Sequence, residues 1–243
     1  MTDKPKILCV IPARYGSTRL PGKPLYMIKN IPLVVWTYTR AVESGVFDEV
    51  CVATDDRRIF DAMVRHGGNA AMTSAGHESG TDRVREAAAG RPYNYIVNLQ
   101  GDEPLVPDGL LKTMAENIAE LDDNSLLTCV SNATIEDREN PNVVKVVCAA
   151  NREALYFSRS AIPYGRDGQA AKTLRHCGIY GFTQAGLARF CGSAPGDLEK
   201  TEKLEQLRAL EHGMRVRCFF YDYRGIGIDT KEDAEAFATM VEG

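Results

Sequence analysis

The chain has 243 residues, of which 44% are hydrophobic and 26% charged, and its net charge is −4. This length and composition suit one α/β domain and exclude bulk disorder, and the weakly acidic balance argues against general nucleic-acid binding. No apolar stretch reaches the ~20 residues of a membrane span or resembles a signal peptide, and the cysteines show no metal-ligand spacing. We therefore expect a soluble, cytoplasmic protein with reduced thiols and with no nucleic-acid or membrane partner.

The first half of the chain alternates between two periodicities. Apolar runs predict strands at 6–11, 49–54, 69–73 and 95–99. Helical spacing with flanking glycine, proline and capping residues predicts helices at 32–44, 57–66, 81–89 and 107–121. Strands and helices that alternate at short intervals are typical of an α/β fold, a mostly parallel sheet with helices on both faces.

The second half has a different rhythm. Successive runs without intervening helices predict antiparallel or edge strands at 126–131, 143–149 and 174–182, and a strand with an irregular loop at 155–164. One long helix is expected over 199–212, followed by a strand at 217–221, a glycine-rich loop and a last helix at 231–241. We expect a single α/β domain over 1–243 with a smaller sub-lobe at about 132–195.

The segment 11–24, IPARYGSTRLPGKP, follows the first strand and is unusually cationic. It places Arg14, Arg19 and Lys23 among glycine and proline residues. Glycine lets backbone N–H groups approach an anion closely, arginine adds forked donors and lysine adds a movable point charge. The segment therefore predicts a polyphosphate site at the carboxyl end of a parallel strand, which we call the phosphate cradle.

The phosphate cradle matches neither of two common phosphate motifs. A P-loop needs G-x-x-x-x-G-K-[ST], but five residues separate Gly16 from Gly22, and Pro24 replaces the hydroxyl residue. The dinucleotide fingerprint G-x-G-x-x-G is absent from this turn. The alternative is a basic surface loop with a turn at Pro21-Gly22, which is disfavoured because three neighbouring cations repel one another without an anion.

Further polar groups follow the other predicted parallel strands, at the sheet edge where open α/β sheets bind ligands. Asp55-Asp56 ends one strand, and Asp102 follows another, while Asp229 lies on a glycine-rich loop. Near a polyphosphate, Asp102 and Asp229 could hold Mg²⁺, which prefers a few carboxylates plus phosphate oxygens, or each could be an ordinary turn residue. The segment 79–83, SGTDR, could admit a flat base or simply start a helix.

Four histidines are present, and none forms a recognisable catalytic set. His66 and His212 precede glycines at predicted helix ends and are interpreted as structural. His77 lies on a polar loop, and His176 lies in an apolar strand, where a core histidine is the usual interpretation. Because no Ser/His/Asp set or H-E-x-x-H motif is present, nucleophilic and zinc-hydrolase chemistry have no support.

Nine motifs, in order and in register, resemble those of the 3-deoxy-manno-octulosonate (Kdo) cytidylyltransferase family. They are IPARYGSTRLPGKP (11–24), VATDD (52–56), SGTDR (79–83), NLQGDEP (98–104), NVVKVV (142–147), ALYFSRSAIPY (154–164), RHCGIYGF (175–182), LEQLRAL (204–210) and GIGIDT (225–230). The resemblance implies a nucleotide-diphospho-sugar transferase fold, a Rossmann-like and mostly parallel sheet with a smaller lobe that forms a homodimer. It also implies a reaction, in which CTP and Kdo give CMP-Kdo and pyrophosphate with Mg²⁺, for bacterial envelope polysaccharide synthesis.

The resemblance also implies roles for individual residues. It assigns the triphosphate to Arg14, Ser17, Arg19 and Lys23, and cytosine and ribose to Ser79, Gly80 and Thr81. It assigns Mg²⁺ to Asp102 and Asp229, which with Lys23 form the expected catalytic set. It assigns the sugar acid to Arg83, Gln100, Arg159, His176, Tyr180, Glu205 and Gln206. His176 thus changes from an expected core residue to an expected ligand contact.

Two departures from the family pattern leave the expected reaction unchanged. The segment 28–32, IKNIP, lacks the glycine usual in the family, so its turn is expected to differ in shape, and GIGID has isoleucine where valine is common. The motifs do not separate Kdo from 8-amino-Kdo or another ulosonic acid, nor lipopolysaccharide from capsule synthesis. An alternative of a different class is a non-catalytic nucleotide-binding module, but such a module has no need of the metal ligands Asp102 and Asp229.

Overall fold

The structure, a computed structural model, describes residues 5–16, 20–166, 171–225 and 227–241. In these residues the strands are β1 (Ile7–Ala13), β2 (Met27–Ile28), β3 (Ile31–Pro32), β4 (Glu49–Thr54), β5 (Ala70–Met72), β6 (Tyr95–Asn98), β7 (Ser125–Asn132), β8 (Lys145–Cys148), β9 (Ala154–Ser158), β10 (Leu174–Thr183) and β11 (Arg215–Phe220). The α-helices are α1 (Leu33–Glu43), α2 (Arg57–Arg65), α3 (Gly80–Ala88), α4 (Asp108–Ile118), α5 (Ile135–Glu139), α6 (Gln184–Gly192), α7 (Asp197–Glu202), α8 (Gln206–Glu211) and α9 (Lys231–Met240). The alternation predicted for the first half is confirmed.

The chain forms two compact units, Met1–Ala115 with Gly225–Gly243, and Glu116–Arg224. The segment 132–195, where a smaller sub-lobe was predicted, falls within the second range. All seven cysteines belong to the described residues and are free thiols, as predicted. No helix of the described residues has the length and apolar character needed to cross a membrane.

The first unit contains a parallel sheet in the order β6-β1-β4-β5. From Leu8 to Ile11, β1 is buried on both faces, as expected for the inner strand of a parallel sheet covered by helices. Because all four strands run in the same direction, the loops after β1, β4 and β6 leave the sheet at one edge. This edge carries the phosphate cradle and the ends of the VATDD (52–56) and NLQGDEP (98–104) motifs.

Side-chain caps fix where the helices of the first unit begin. Asp56 accepts a hydrogen bond from the Arg58 backbone N–H at the start of α2, and Ser79 accepts one from Asp82 at the start of α3. At α9, Thr230 and Asp233 cap each other reciprocally in a capping box. The capping residues Asp56, Ser79 and Thr230 belong to the motifs themselves, so the helix starts also fix the loops that carry the motifs.

The segment 28–32, predicted to differ from the family pattern, forms a tight hairpin between β2 and β3. Its two turn residues, Lys29 and Asn30, both have positive φ, at 51° and 63°. Such a pair defines a type I′ turn, which asparagine tolerates and lysine adopts rarely. The turn therefore forms without a glycine.

The second unit has mixed strand pairing. β11 runs parallel to β7, β7 runs antiparallel to β10, and the strands β8 and β9 add antiparallel pairs to β10. The register of β10 against β7 shifts between Cys177 and Tyr180, which marks a β-bulge. The predicted change from parallel to antiparallel pairing in this part of the chain is confirmed.

The single helix predicted at 199–212 is wrong. The segment forms two short helices, α7 and α8, because Lys203 between them adopts a left-handed conformation with a φ of 54°. The carboxylate of Glu211, in α8, accepts hydrogen bonds from the backbone N–H groups of Leu198 and Glu199 at the start of α7. The two helices therefore fold back on each other, and leucine spacing does not reveal this. The helices α5 and α6 were also missed.

Candidate active site

A cavity of about 360 Å³ lies at the carboxyl-terminal edge of the first unit's sheet. Its lining comes from the loops after β1 and β6, the start of α3 and the loop before α9. The residues are Pro12, Ala13, Arg14, Gly16, Lys23, Pro24, His77, Glu78, Ser79, Gly80, Arg83, Gln100, Gly101, Asp102 and Asp229. Segments far apart in sequence, which were predicted separately, thus contribute to one cavity.

Lys23 lies between the two aspartates predicted to bind metal. Its Nζ is 2.5 Å from Oδ2 of Asp102 and 2.7 Å from Oδ1 of Asp229, and the lysine side chain is only 14% exposed. Burial lowers the pKa of Lys23, but the two carboxylates, chiefly Asp102, raise it above its usual value. Lys23 is therefore a firmly charged ammonium group that bridges the two carboxylates at neutral pH.

The backbone explains why these three side chains meet. Gly22 has a φ of 67° and leads into a 3-10 turn, Lys23–Leu25, which directs the lysine into the cavity. The loop before α9 is joined to the loop after β6 by a 2.9 Å hydrogen bond from the Ile228 backbone N–H to the Asp102 carbonyl. One residue further, the Asp229 N–H donates to the carboxylate of Asp233 in the α9 cap. The start of α9 thus fixes Asp229 beside Asp102.

The carboxylates of Asp102 and Asp229 suit a hard divalent cation that is also bound by the phosphate oxygens of a substrate. Asp102 and Asp229 each direct a carboxylate oxygen at the same cation, which in this structure is the ammonium group of Lys23. Among the described residues, no group of three or more histidine, cysteine, aspartate or glutamate side chains could hold a metal. Two carboxylates plus substrate phosphates is the arrangement that Mg²⁺ favours, whereas zinc prefers more protein ligands.

An aromatic brace, which we define as Tyr15, Arg58 and Asp56, supports the phosphate cradle. The Arg58 guanidinium lies 3.5 Å from the centre of the Tyr15 ring, and Asp56 accepts two hydrogen bonds from that guanidinium, at 2.9 and 2.6 Å. On the cradle side, a Cβ on Gly22 would lie 3.1 Å from the Tyr15 ring. The aromatic brace therefore connects the phosphate cradle to the first turn of α2. Asp56, the last residue of the VATDD motif, is part of this connection.

The SGTDR segment is both a helix start and a cavity wall. Ser79 caps α3, and a Cβ on Gly80 would lie 3.3 Å from the Pro12 side chain, so glycine allows α3 to approach β1 closely. Thr81 is fully buried, and its hydroxyl accepts a hydrogen bond from the Asn98 amide at 3.1 Å. Ser79 and Gly80 line the cavity, whereas the Thr81 side chain points into the protein. The two interpretations of this segment are therefore compatible.

Arg83 reaches the cavity wall, but its guanidinium is used within the protein. One terminal nitrogen pairs with Asp55 at 3.0 Å, and the other donates to the Thr73 hydroxyl at 2.5 Å and to the Ser74 carbonyl at 3.4 Å. The side chain is 4% exposed. In this geometry, Arg83 fixes the loop after β5, which forms one side of the cavity.

The remaining predicted residues of the first unit have varied positions. Arg14 is exposed at the cavity and Gln100 is half-buried in its wall. Ser17 and Arg19 lie outside the described residues. His77, placed by the sequence on a polar loop, lines the cavity and contacts Glu86 through its Nε2.

In the second unit, three predicted sugar contacts lie close together beside the bulge in β10. The ring centroids of His176 and Tyr180 are 5.5 Å apart, and the Tyr180 hydroxyl donates to the Gln206 side-chain oxygen at 3.2 Å. Within the described part of the chain, the Gln206 amide nitrogen is buried and has no hydrogen-bond partner. A buried donor without a partner is costly, so it suits a site that a polar ligand completes. Glu205 precedes Gln206 and raises the pKa of Tyr180, after the larger effect of burial.

His176 is neutral in this cluster. Burial lowers its pKa to about 3. Its Nε2 lies 2.8 Å from the Thr128 hydroxyl, which donates its single proton to the Ile179 carbonyl, also at 2.8 Å. Thr128 therefore accepts from the Nε2–H of His176, and Nδ1 is left as the acceptor. A neutral imidazole suits hydroxyl groups better than it suits a carboxylate.

Arg159 is held mainly by main-chain oxygens. Its guanidinium donates to the carbonyls of Pro141, Glu202 and Lys203 at 3.0, 2.8 and 3.4 Å. Its backbone N–H donates to the Glu202 carboxylate. The Arg159 carbonyl accepts from Lys145, a fully buried ammonium that also donates to two other carbonyls. Arg159 therefore links β9 to the turn between α7 and α8, directly before Glu205.

Sequence reasoning missed the residues that support these side chains. Lys145 and Asn98 lie within quoted motifs, but neither they nor Thr128 and Glu202 had an assigned role. Each has a partner at least fourteen positions away that the sequence does not reveal. Asp55 and Asp56 had a signal, their position at a strand end, but no partner could be assigned. Tyr15 had one too, as an aromatic residue within a cationic loop.

A family model described as Cytidylyltransferase matches residues 8–216. The 3-deoxy-manno-octulosonate cytidylyltransferase of Thermodesulfovibrio yellowstonii is 44% identical, with 94% of this chain and 95% of that protein covered. The enzyme of the same name from Fusobacterium nucleatum is 41% identical, with 98% and 97% covered. A solved structure of CMP:2-keto-3-deoxy-manno-octonic acid synthetase complexed with CTP has a TM-score of 0.92 at 38% identity, with 97% and 98% covered.

The site lies at the carboxyl-terminal edge of a parallel α/β sheet, where such folds bind ligands, and the relatives of this chain place it among the nucleotidyltransferases. The fold alone is shared more widely, since 4-diphosphocytidyl-2C-methyl-D-erythritol synthase of Anaerococcus prevotii has a TM-score of 0.61 at 14% identity. The chain belongs to the 3-deoxy-manno-octulosonate cytidylyltransferases, within the cytidylyltransferase family. The family and fold class predicted from the nine motifs are confirmed.

Proposed function

We propose that this protein transfers the cytidylyl group of CTP to Kdo and releases pyrophosphate. The observation that carries the proposal is the convergence of Lys23, Asp102 and Asp229 in a cavity lined by the phosphate cradle and the start of α3. A cavity with a cationic wall and a carboxylate pair suits a metal-bound triphosphate. The relatives that share 41–44% identity across nearly the whole chain are named for this reaction.

The chemistry is a displacement at the α-phosphorus. The anomeric hydroxyl oxygen of the sugar attacks in line, a new P–O bond forms, the bond to the β-phosphate bridging oxygen breaks, and the hydroxyl proton passes to solvent. In-line phosphoryl chemistry asks a protein mainly for positioning and charge neutralisation. Arg14 and Lys23 take up the charge that develops on the departing pyrophosphate. Ser17 and Arg19 are proposed to extend the same cradle.

Asp102 and Asp229 would hold Mg²⁺ together with the phosphate oxygens of CTP. When bound, Mg²⁺ clamps the phosphates and lowers the pKa of the attacking hydroxyl. The protein's part is to fix the two carboxylates, through the Ile228–Asp102 hydrogen bond and the α9 cap. We infer no separate general base, since metal activation of the hydroxyl makes one unnecessary.

The nucleotide and the sugar acid have separate proposed contacts. Of the three residues assigned to cytosine and ribose, Ser79 and Gly80 are proposed to meet them at the start of α3, where Gly80 leaves the backbone accessible. Thr81, which is buried against Asn98, is proposed to position these two residues. The sugar contacts proposed from the motifs are Arg83, Gln100, Arg159, His176, Tyr180, Glu205 and Gln206. The unpartnered Gln206 amide and neutral His176 support hydroxyl recognition, whereas Arg83, already paired with Asp55, is better suited to shaping the cavity.

A pyrophosphate-release assay with four nucleotides and several ulosonic acids tests the proposal. We expect pyrophosphate from CTP only when Kdo is present, and little from ATP, GTP or UTP. Release with 8-amino-Kdo but not with Kdo would move the function to the related sugar. No release with any sugar acid would favour a nucleotide-binding module without catalysis.

The biological setting is part of the same proposal. We infer a homodimer that acts in the cytoplasm and supplies activated Kdo for lipopolysaccharide synthesis. The seven free thiols suit a reducing compartment, and CTP is a cytoplasmic nucleotide. Light scattering after size-exclusion chromatography tests the dimer: about twice the chain's 26.7 kDa is expected, and a single-chain mass at micromolar concentration would contradict it.

A further inference from the structure

Lys23 has two partners that it cannot serve at the same time. In the proposed function it neutralises the triphosphate, yet in the structure two of its three N–H donors are directed to Asp102 and Asp229, at 2.5 and 2.7 Å. The same two carboxylates are the proposed ligands of Mg²⁺. The Lys23 ammonium therefore lies where a metal held by Asp102 and Asp229 would place its positive charge.

A divalent cation and the Lys23 ammonium compete for these oxygens. Mg²⁺ binds carboxylate oxygens at about 2.0–2.1 Å, so a metal shared by Asp102 and Asp229 would lie within a few ångströms of the Nζ position. At that distance two positive charges repel strongly in a partly buried site. The lysine side chain is 14% exposed and the carboxylates are 29% and 33% exposed, which limits screening by water.

The Lys23 ammonium can move from the two carboxylates to an incoming triphosphate. Its four-carbon stem carries a movable point charge, and Lys23 itself lines the cavity together with Arg14 of the cradle. An incoming triphosphate offers the ammonium a new set of oxygens on the cavity side. Once the ammonium has moved to the phosphates, the carboxylates can hold the metal.

We propose that Lys23 is a positioning residue that neutralises the Asp102–Asp229 pair until nucleotide arrives, so that CTP and the divalent cation bind in a coupled manner. The proposal rests on the proposed function for the identity of the ligands. Coupling of this kind is reciprocal: the nucleotide strengthens metal binding by the same factor as the metal strengthens nucleotide binding. Without nucleotide, the metal must displace the ammonium and therefore binds weakly.

Binding of Mn²⁺ alone tests the proposal without any turnover. Free Mn²⁺ is measured by its electron paramagnetic resonance signal in titrations of wild type, Lys23→Met and Arg14→Met, with no nucleotide present. We expect Lys23→Met to bind Mn²⁺ at least about tenfold more tightly than wild type, because the competing charge is gone. Arg14→Met is the matched control, since it removes a cation from the same cavity but none from the carboxylates. We expect it to change the Mn²⁺ affinity by less than about threefold.

Two outcomes would overturn the proposal. One is a Lys23→Met variant that binds Mn²⁺ no more tightly than wild type. The other is an equal gain in Arg14→Met, which would mean that Lys23 acts only through the general field of the cavity. Lys23→Gln serves as the second variant if the methionine variant does not fold by circular dichroism, and the same two outcomes apply to it.

The metal readout also separates this proposal from the proposed function. Pyrophosphate release from CTP and Kdo by wild type, with unchanged Mn²⁺ affinity in Lys23→Met, would remove the coupling and leave the function intact. A gain in Mn²⁺ affinity without any CTP or Kdo turnover by wild type would support the lysine–carboxylate competition and reject the assigned reaction.

Discussion

Asp102 and Asp229 meet at Lys23 although they are 127 positions apart in the chain. Both direct an oxygen at Lys23, and both lie in the cavity wall. If they hold the catalytic cation, replacing one carboxylate removes a metal ligand but leaves the fold unchanged, because neither side chain is fully buried. The effect should therefore appear in turnover and not in stability.

Asp102→Asn is expected to lower kcat by at least about 100-fold, since a catalytic metal contributes several kcal/mol to transition-state stabilisation. Pyrophosphate release measures kcat, and urea unfolding checks the fold. Asp61→Asn is the matched control, because Asp61 pairs with Arg57 along α2. Near wild-type turnover by Asp102→Asn would remove the metal assignment.

His176 makes a pH-dependent contribution to stability. Its pKa is about 3 in the folded protein, lowered by burial, and near 6.5 when unfolded. Between these values the unfolded chain binds a proton that the folded chain does not. The free energy of unfolding therefore falls as the pH drops from about 6.5 towards 3, by up to about 1.4 kcal/mol per pH unit from this group.

His176→Gln is expected to flatten this dependence while keeping a donor near Thr128. Urea unfolding of both proteins between pH 7 and pH 4.5 measures the two slopes. Acidic groups with lowered pKa values also lose stability in acid, so the difference between the slopes is the relevant quantity. Equal slopes would show that His176 is accessible to protons in the folded state.

At the scale of single elements, the phosphate cradle depends on a contact outside it. Tyr15 lies between the Arg58 guanidinium and the close approach at Gly22, and Asp56 fixes Arg58 at the start of α2. Removing the ring leaves the cavity intact but loosens the cradle turn before Lys23. The affected quantity should be nucleotide binding.

Tyr15→Ala is expected to raise the KM for CTP about tenfold with a smaller change in kcat, because it weakens positioning of the cradle without removing a reacting group. Tyr15→Phe keeps the ring over Arg58 and should restore a KM close to that of wild type. Steady-state kinetics at saturating Kdo measures both parameters. A loss confined to kcat, or no rescue by phenylalanine, would contradict the role of the brace.

The helix α9 connects packing to the site. Its Phe237 is 3% exposed and meets Trp36 edge-on at 5.4 Å, in a cluster with Ile28, Leu33 and Ile228. Because α9 begins directly after Asp229, this cluster fixes the helix whose cap holds the aspartate.

Phe237→Ala is expected to lower the free energy of unfolding by about 3–5 kcal/mol, as large-to-small changes in packed cores do. Phe220→Ala is the matched control, since Phe220 is 49% exposed at the end of β11 and its loss should cost less than about 1 kcal/mol. Chemical denaturation measures both. Equal losses would show that the α9 cluster is not a packed core.

Across the whole molecule, the sequence predicted what depends on local pattern. Periodicity located the parallel strands and their helices, and the motifs located the sheet edge that carries the cavity. The sequence could not predict the break between α7 and α8 at Lys203. A left-handed lysine has no sequence signal, and the cap from Glu211 is a tertiary contact. The neighbours of each site residue were likewise out of reach, since Lys23 and Asp229 meet across 206 positions.

The same limit applies to the surroundings of individual site residues. The family resemblance assigns Arg83 to the sugar acid, and in the structure its buried guanidinium pairs with Asp55, since a buried guanidinium needs a carboxylate. His176 was first interpreted as a core residue, and it is partly that, since burial keeps it neutral beside Thr128. Motif position predicts where such a side chain lies, but only the tertiary structure shows what it contacts.

The formation of CMP-Kdo itself tests the central claim most directly. Phosphorus NMR of the protein with CTP, Kdo and Mg²⁺ should show a new sugar phosphodiester and pyrophosphate in equal amounts, with neither formed when Kdo is left out. Unchanged CTP, or CMP and pyrophosphate without the sugar ester, would contradict cytidylyl transfer to Kdo.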